Sequence, residues 1–196
     1  TINYNRIENI GYDGINFQGL NTMVKFNYIN GACQTLDDGG GIYCFGSGTY
    51  PTNTRTVGSI VEGNIVLNVW GNADGGLKSY GDGYALYFDV TKEVTVRNNL
   101  FAGAIGGIYI NSGGLNVINN NTIFNAHILL FTTDSYENHS GDGNIFYTTD
   151  DIYTWKYWSG EQQRLVFQFT NKAVIDNNFY YAHYNETDIF PDYINF

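Results

Sequence analysis

One asparagine recurs seven times along the chain in the same setting, between a short run of alternating apolar residues and a second apolar run. The spacings are 22, 37, 35, 22, 23 and 34 residues. A unit this short does not suit a propeller blade or a helical hairpin, but it suits one coil of a solenoid with three short strands. The recurring residues are Asn5, Asn27, Asn64, Asn99, Asn121, Asn144 and Asn178.

A second apolar strand follows each of the first six asparagine segments. Alternating apolar residues with glycine-rich punctuation predict strands throughout. If the coils stack in parallel, each asparagine lies above the last, and its amide can bond along the stack and to turn backbone. We therefore predict an all-β, parallel β-helix of about seven coils with an internal asparagine ladder. The second strands are Gly14–Phe17, Gly41–Cys44, Ala85–Phe88, Gly107–Ile110, Ile128–Phe131 and Leu165–Gln168.

This repeat resembles the right-handed parallel β-helix proteins of the pectin-lyase-like superfamily. The resemblance covers nearly all 196 residues and implies a single domain, residues 1–196. The chain begins at Thr1, already inside a coil, so we expect it to be part of a longer protein. The superfamily includes lyases, glycoside hydrolases, esterases, tail spikes and adhesins, so the resemblance implies the fold more specifically than the function.

The net charge of −10 limits the partners. It disfavours nucleic acid and anionic membrane surfaces, which attract basic patches. The sequence also has no run of 18 apolar residues, so it does not predict membrane insertion. It also weighs against uronate polymers and favours a neutral poly- or oligosaccharide. We expect a secreted or cell-surface protein. Cys33 and Cys44 lie close enough in sequence to pair or to remain buried thiols, and they form no metal-ligand spacing with the three histidines.

Three insertions account for the long spacings, at about residues 46–58, 70–83 and 150–163. They carry Trp70, Trp155 and Trp158. Aromatic faces stack on the apolar faces of sugar rings, so these side chains are candidate substrate contacts. The alternative is that they attach the loops to the solenoid wall.

The register of the second strands predicts an outward row of tyrosines. If Ile42 and its equivalents point inward, then Tyr43, Tyr87 and Tyr109 point outward, one per coil. These rings are a candidate sugar-binding wall, or they stabilise neighbouring strands by stacking on one another.

The same register places Asp38 and Asp82 in equivalent turns of adjacent coils, about 4.8 Å apart. Two carboxylates so close do not both ionise without cost, and one of them then becomes a proton donor beside an anionic partner. The alternatives are a calcium site made with Asp37, or solvated turn residues. Asp13 and Asp89 are further candidates for the same groove.

The segment Asp37–Tyr43, followed by Val61–Asn64, is similar to β-helix glycoside hydrolases, including the β-xylosidase group. That resemblance implies Asp38 as the nucleophile and Glu62 as the general acid/base, with no cofactor required. A glycoside hydrolase acting on a poly- or oligosaccharide is thus the leading hypothesis. One alternative is a polysaccharide lyase on a uronate polymer, and the other is a non-catalytic module of a fibre, spike or adhesin. A lyase would draw on Arg55, Lys78 or Arg97 as the basic group.

Overall fold

The computed structural model of the protein describes residues 1–46, 55–76, 81–132, 139–148 and 173–182. These residues are organised in parallel strands, and their one helical element is a 3-10 helix at Ala73–Gly75. The all-β prediction is confirmed. In these ranges no helix has the length and apolar character needed to cross a membrane.

Within the described ranges, one sheet has seven strands, each two to four residues long. The chain returns to this sheet once in every repeat, because its strands alternate in sequence with those of the second sheet. In order across the sheet they are β1 (Ile2–Asn3), β4 (Met23–Lys25), β7 (Ile60–Glu62), β10 (Thr95–Arg97), β12 (Val117–Asn119), β14 (His139–Asp142) and β16 (Ala173–Asp176).

The second sheet has ten strands in a main row and a side branch. The main row contains β2 (Arg6–Glu8), β5 (Tyr28–Asn30), β8 (Ile65–Val69), β11 (Leu100–Gly114), β13 (Thr122–Thr132), β15 (Ile145–Thr148) and β17 (Phe179–Ala182). The branch contains β3 (Ile15–Phe17), β6 (Gly39–Phe45) and β9 (Gly83–Lys92). Strand β11 pairs with β8 through residues 100–104 and with β9 through residues 106–114, so it joins the branch to the main row and the sheet is curled.

The core consists of apolar rows that run across the strands in register. Each row places one side chain per repeat directly beside its equivalent, with no measurable exposure. Cys33 and Cys44 are buried in this core as free thiols. Of the two possibilities that the sequence left open, a disulfide or buried thiols, the structure shows buried thiols. The rows include Val24, Val61 and Val96 in the seven-stranded sheet, Ile29, Val66, Phe101 and Ile123 in the main row, and Ile42, Leu86 and Ile108 in the branch.

The predicted asparagine ladder is confirmed. Each amide nitrogen donates to the Oδ1 atom of the next ladder residue, from Asn5 to Asn178, at 2.9 to 3.0 Å. The same oxygen also accepts the backbone N–H of the preceding ladder residue at 2.7 to 3.0 Å. The ladder therefore satisfies buried turn backbone in every repeat.

A left-handed residue stands immediately before each ladder asparagine, with φ between 49° and 66°. This conformation makes the sharp turn from the seven-stranded sheet into the main row. Asparagine and glycine adopt it most easily, which explains the repeated Asn–Asn and Gly–Asn pairs. The residues are Tyr4, Phe26, Gly63, Asn98, Asn120, Gly143 and Asn177.

Candidate functional site: an acidic face beside a tyrosine cluster

The predicted tyrosine row is present on the outer side of the branch. Tyr43, Tyr87 and Tyr109 are register partners, and Tyr87 lies 5.0 Å from Tyr43 and 4.6 Å from Tyr109 between ring centroids. However, Tyr87 is only 5% exposed and Tyr109 only 7%. The rings contact one another, and only the half-buried Tyr43 has a substantial surface available to a ligand.

Tyr84 completes this tyrosine cluster and was not among the residues predicted from the sequence. Its ring lies 5.2 Å from Tyr87 and 4.5 Å from Tyr109. Its register partners on the neighbouring strands are Gly40 and Gly106, and a Cβ atom at Gly106 would collide with the Tyr84 ring. A tyrosine flanked by glycines on both adjacent strands was the signal that could have revealed this packing.

Two of the predicted acidic residues are buried and bonded within the fold. Asp82 is 2% exposed and accepts the hydroxyl hydrogen of Tyr84, whose pKa is raised mainly by burial and then by Asp82. Asp37 is 8% exposed and accepts the backbone N–H of Asp82. Both carboxylates thus hold the turn before β9 in place.

Asp38 occupies the turn position that the register predicted. Asp38 and Asp82 each stand one residue before a glycine, and these two glycines, Gly39 and Gly83, are register partners. Unlike Asp82, it is exposed, and its φ is 54°. Its carbonyl oxygen accepts a hydrogen bond from the Tyr12 hydroxyl at 3.0 Å. The structure therefore places Asp38 and Asp82 in adjacent turns but in different environments.

The carboxylate of Asp13 lies close to the turn that Asp38 occupies, beside Gly39 and Gly40. The Oδ1 atom of Asp13 accepts the backbone N–H of Gly40 and its Oδ2 atom accepts the Asn16 amide, both at 2.9 Å. Burial raises the pKa of Asp13, and the negative charge of Asp38 raises it further against the effect of these two bonds.

Asp89 is the third member of this acidic face, defined as Asp13, Asp38 and Asp89. Its Oδ2 atom accepts the Tyr43 hydroxyl at 3.1 Å, and its Oδ1 atom accepts the Asn111 amide at 3.0 Å. Burial raises the pKa of Asp89 above the usual aspartate value, and Asp38 adds to the rise. The charge of Asp38 thus raises the pKa of both neighbouring carboxyl groups. The pKa of Tyr87 is raised first by burial and then by Asp38.

Glu62 is not brought to Asp38. It lies on β7 of the seven-stranded sheet, whereas Asp38 precedes β6 in the branch. Its carboxylate pairs with Arg97 at 2.9 Å and with Lys25 at 2.9 Å, and these partners, Arg97 first, lower its pKa. A carboxylate held ionised in this way is a poor proton donor, so the arrangement does not support a general acid role for Glu62.

Among the predicted aromatic contacts, Trp70 is 38% exposed and lines a cleft at the end of β8. Trp155 and Trp158, the 150–163 insertion and the strand at 165–168 lie outside the described residues, as do parts of the other two insertions. In the portion of the chain that is described, no group of three or more His, Cys, Asp or Glu side chains is arranged to hold a metal ion.

Comparisons of the chain with family models, with curated proteins and with solved structures return no match.

Proposed function

We propose that the chain is a parallel β-helix of the pectin-lyase-like kind and a glycoside hydrolase that acts on a neutral poly- or oligosaccharide. The chain's alternation between two parallel sheets and its continuous asparagine ladder support the fold. The observation that carries the activity is the acidic face, where one exposed carboxylate lies beside two partly buried carboxyls with raised pKa values.

Glycoside hydrolysis requires one carboxyl group that gives a proton and one carboxylate that acts as nucleophile or base. Asp89 suits the first role because burial raises its pKa and Tyr43 offers a half-buried ring beside it. Exposed Asp38 suits the second role. This scheme needs no cofactor, and a secreted or cell-surface location fits an enzyme that acts on external polysaccharide.

The surroundings of the acidic face favour hydrolysis over elimination. Among the described residues, the groups that shift the pKa values of Asp13 and Asp89 are neutral or acidic. A uronate would place a further negative charge there, and a lyase needs to neutralise that charge. Arg97, one of the basic residues considered for a lyase, is paired with Glu62 on the other sheet.

A second candidate is a non-catalytic structural or adhesive module. It is favoured by the fact that Asp37, Asp82 and Glu62 are all engaged in contacts within the fold. In that case Asp13, Asp38 and Asp89 would shape the turns at one edge of the branch.

We expect Asp89→Asn to reduce hydrolysis by about 10²- to 10⁴-fold, the range for loss of a general acid. The unaltered chain should release reducing ends from a neutral polysaccharide, without the absorbance of unsaturated products. Activity should fall as the pH rises through the pKa of Asp89, and because burial raises that pKa the fall should lie above the usual aspartate range.

The matched control is Asp142→Asn, since Asp142 is an exposed aspartate on the seven-stranded sheet. It should retain full activity. Neutral and uronate polysaccharides would be tested with and without calcium. Unsaturated products would contradict the hydrolase proposal and support the lyase alternative. A folded chain that cleaves none of the substrates would favour the structural module.

A further inference from the structure

A cleft of about 340 Å³ opens on the main row, where β2, β5 and β8 end. We call it the amide cleft, after the amide side chains among its lining residues, which also include residues 31–33 and Gly71. Its volume lies within the range of small-ligand sites, about 300 to 1,000 Å³. The other lining residues are Asn9, Asn30, Gln34, Asn68 and Trp70.

Among the residues that the structure describes, the lining of the amide cleft carries no charged side chain. Asn68 donates to the Oδ1 atom of Asn30 at 2.8 Å, and Gln34 donates to the Oδ1 atom of Asn9 at 3.3 Å. Each amide has two donor hydrogens and an acceptor oxygen, so these two bonds orient the groups and use only part of their capacity. The cleft therefore offers both donors and acceptors to an uncharged, hydroxyl-rich molecule.

Trp70 provides an apolar surface beside these amides. It is 38% exposed, and a Cβ atom at Gly103 of the next repeat would lie 3.5 Å from its Cζ2 atom. Trp70 thus lies close to Gly103 of the next repeat, and part of its surface is accessible to solvent. An aromatic face next to several amides is the combination that suits a pyranose ring, which has an apolar face and a rim of hydroxyl groups.

We propose that the amide cleft binds one or two neutral pyranose units, with Trp70 against a ring face and the amides of Asn9, Gln34 and Asn68 at the hydroxyl groups. This binding goes beyond hydrolysis at the acidic face and does not depend on it. The connection 31–38 links the two places, because it contributes Gln34 to the cleft and ends at Asp38. The cleft would hold a polysaccharide chain beside the acidic face.

The test is calorimetric titration of the full chain with four neutral β-1,4-linked disaccharides: cellobiose, xylobiose, mannobiose and galactobiose. Digalacturonate serves as the charged comparison. We expect at least one neutral disaccharide to bind with a dissociation constant on the order of 1 mM, as for a small polar ligand in an open cleft. Trp70→Ala should weaken that binding at least about tenfold, and Trp70→Phe should restore most of it.

Phe124→Ala is the matched control, because Phe124 is another exposed aromatic residue of the main row, 44% exposed. It should leave binding unchanged, and circular dichroism with a melting curve would show that each variant is folded. Three results would overturn the proposal. They are no detectable binding of any of the four neutral disaccharides, binding by Trp70→Ala as tight as by the unaltered chain, or tighter binding of digalacturonate than of the neutral disaccharides. Release of reducing ends is measured separately. Trp70-dependent binding without hydrolysis would contradict the hydrolase proposal alone, whereas hydrolysis without Trp70-dependent binding would contradict the cleft alone.

Discussion

Replacing Asn99 with alanine is expected to lower the free energy of unfolding by about 3 to 5 kcal/mol. The Asn99 amide nitrogen donates to Val61 O, Arg97 O and Asn121 Oδ1 at 2.9 to 3.0 Å. Its Oδ1 atom accepts both the backbone and the side-chain N–H of Asn64. Because Asn99 is only 3% exposed, alanine would leave several of these groups buried without a partner.

Urea unfolding followed by circular dichroism measures this change. Asn3→Ala is the control, since Asn3 is an exposed asparagine on a strand and not a ladder residue. Its substitution should change the free energy of unfolding by less than about 0.5 kcal/mol. Equal changes in the two variants would mean that the ladder contributes little to stability.

The stability of the protein is expected to fall by about 2 kcal/mol between pH 7 and pH 5 because of His139 alone. His139 is 7% exposed, and burial lowers its pKa to about 4. Its Nδ1 atom accepts the backbone N–H of Asn116 at 3.3 Å, which requires that nitrogen to be unprotonated. Protonation would both charge a buried ring and remove this acceptor.

The direction follows from proton binding in the two states. In the unfolded chain His139 has a pKa near 6.5, so below about pH 6.5 the unfolded state binds the proton first and stability is lost. The loss continues to about pH 4, where the folded state also binds the proton. Asp13 and Asp89, with raised pKa values, act in the opposite direction at the acidic end of this range.

The measurement is urea unfolding at several pH values for the unaltered chain and for His139→Asn. An asparagine there can accept from Asn116, much as the Oδ1 atom of Asn116 accepts from Val94 N at 3.0 Å. The variant should lose most of the pH dependence between pH 7 and pH 5. Parallel curves for the two proteins would show that His139 does not titrate as a buried neutral ring.

The sequence was sufficient to predict the ladder and the strands of the seven-stranded sheet, because each lies at a fixed offset from the repeated asparagine. The tyrosine register followed from aligning the second strands with one another. The same offset also contained the environment of Glu62. Lys25, Glu62 and Arg97 all stand two residues before a ladder asparagine, and they are register partners in the structure. Reading the register across three strands would have predicted the two ion pairs.

The candidate site was less predictable because it depends on connections outside the regular strands. The acidic face combines Asp13 and Asp38 from turns with Asp89 from a strand, and a carboxyl group's burial is not visible in a repeat pattern. Trp70 could be assigned to an insertion, but its amide neighbours come from three different repeats and an irregular connection. The periodicity of the sequence predicts which repeat a residue belongs to. It does not predict which side chains come together from different loops.

The ladder also separates the register of the stack from the length of each repeat. Successive ladder asparagines are bonded alike whether they are 22 or 37 residues apart in sequence. New sequence can therefore enter a connection without shifting the strands on either side. Loops of this fold are therefore exchangeable. Segments of different length and chemistry could be grafted beside the acidic face without moving the ladder asparagines.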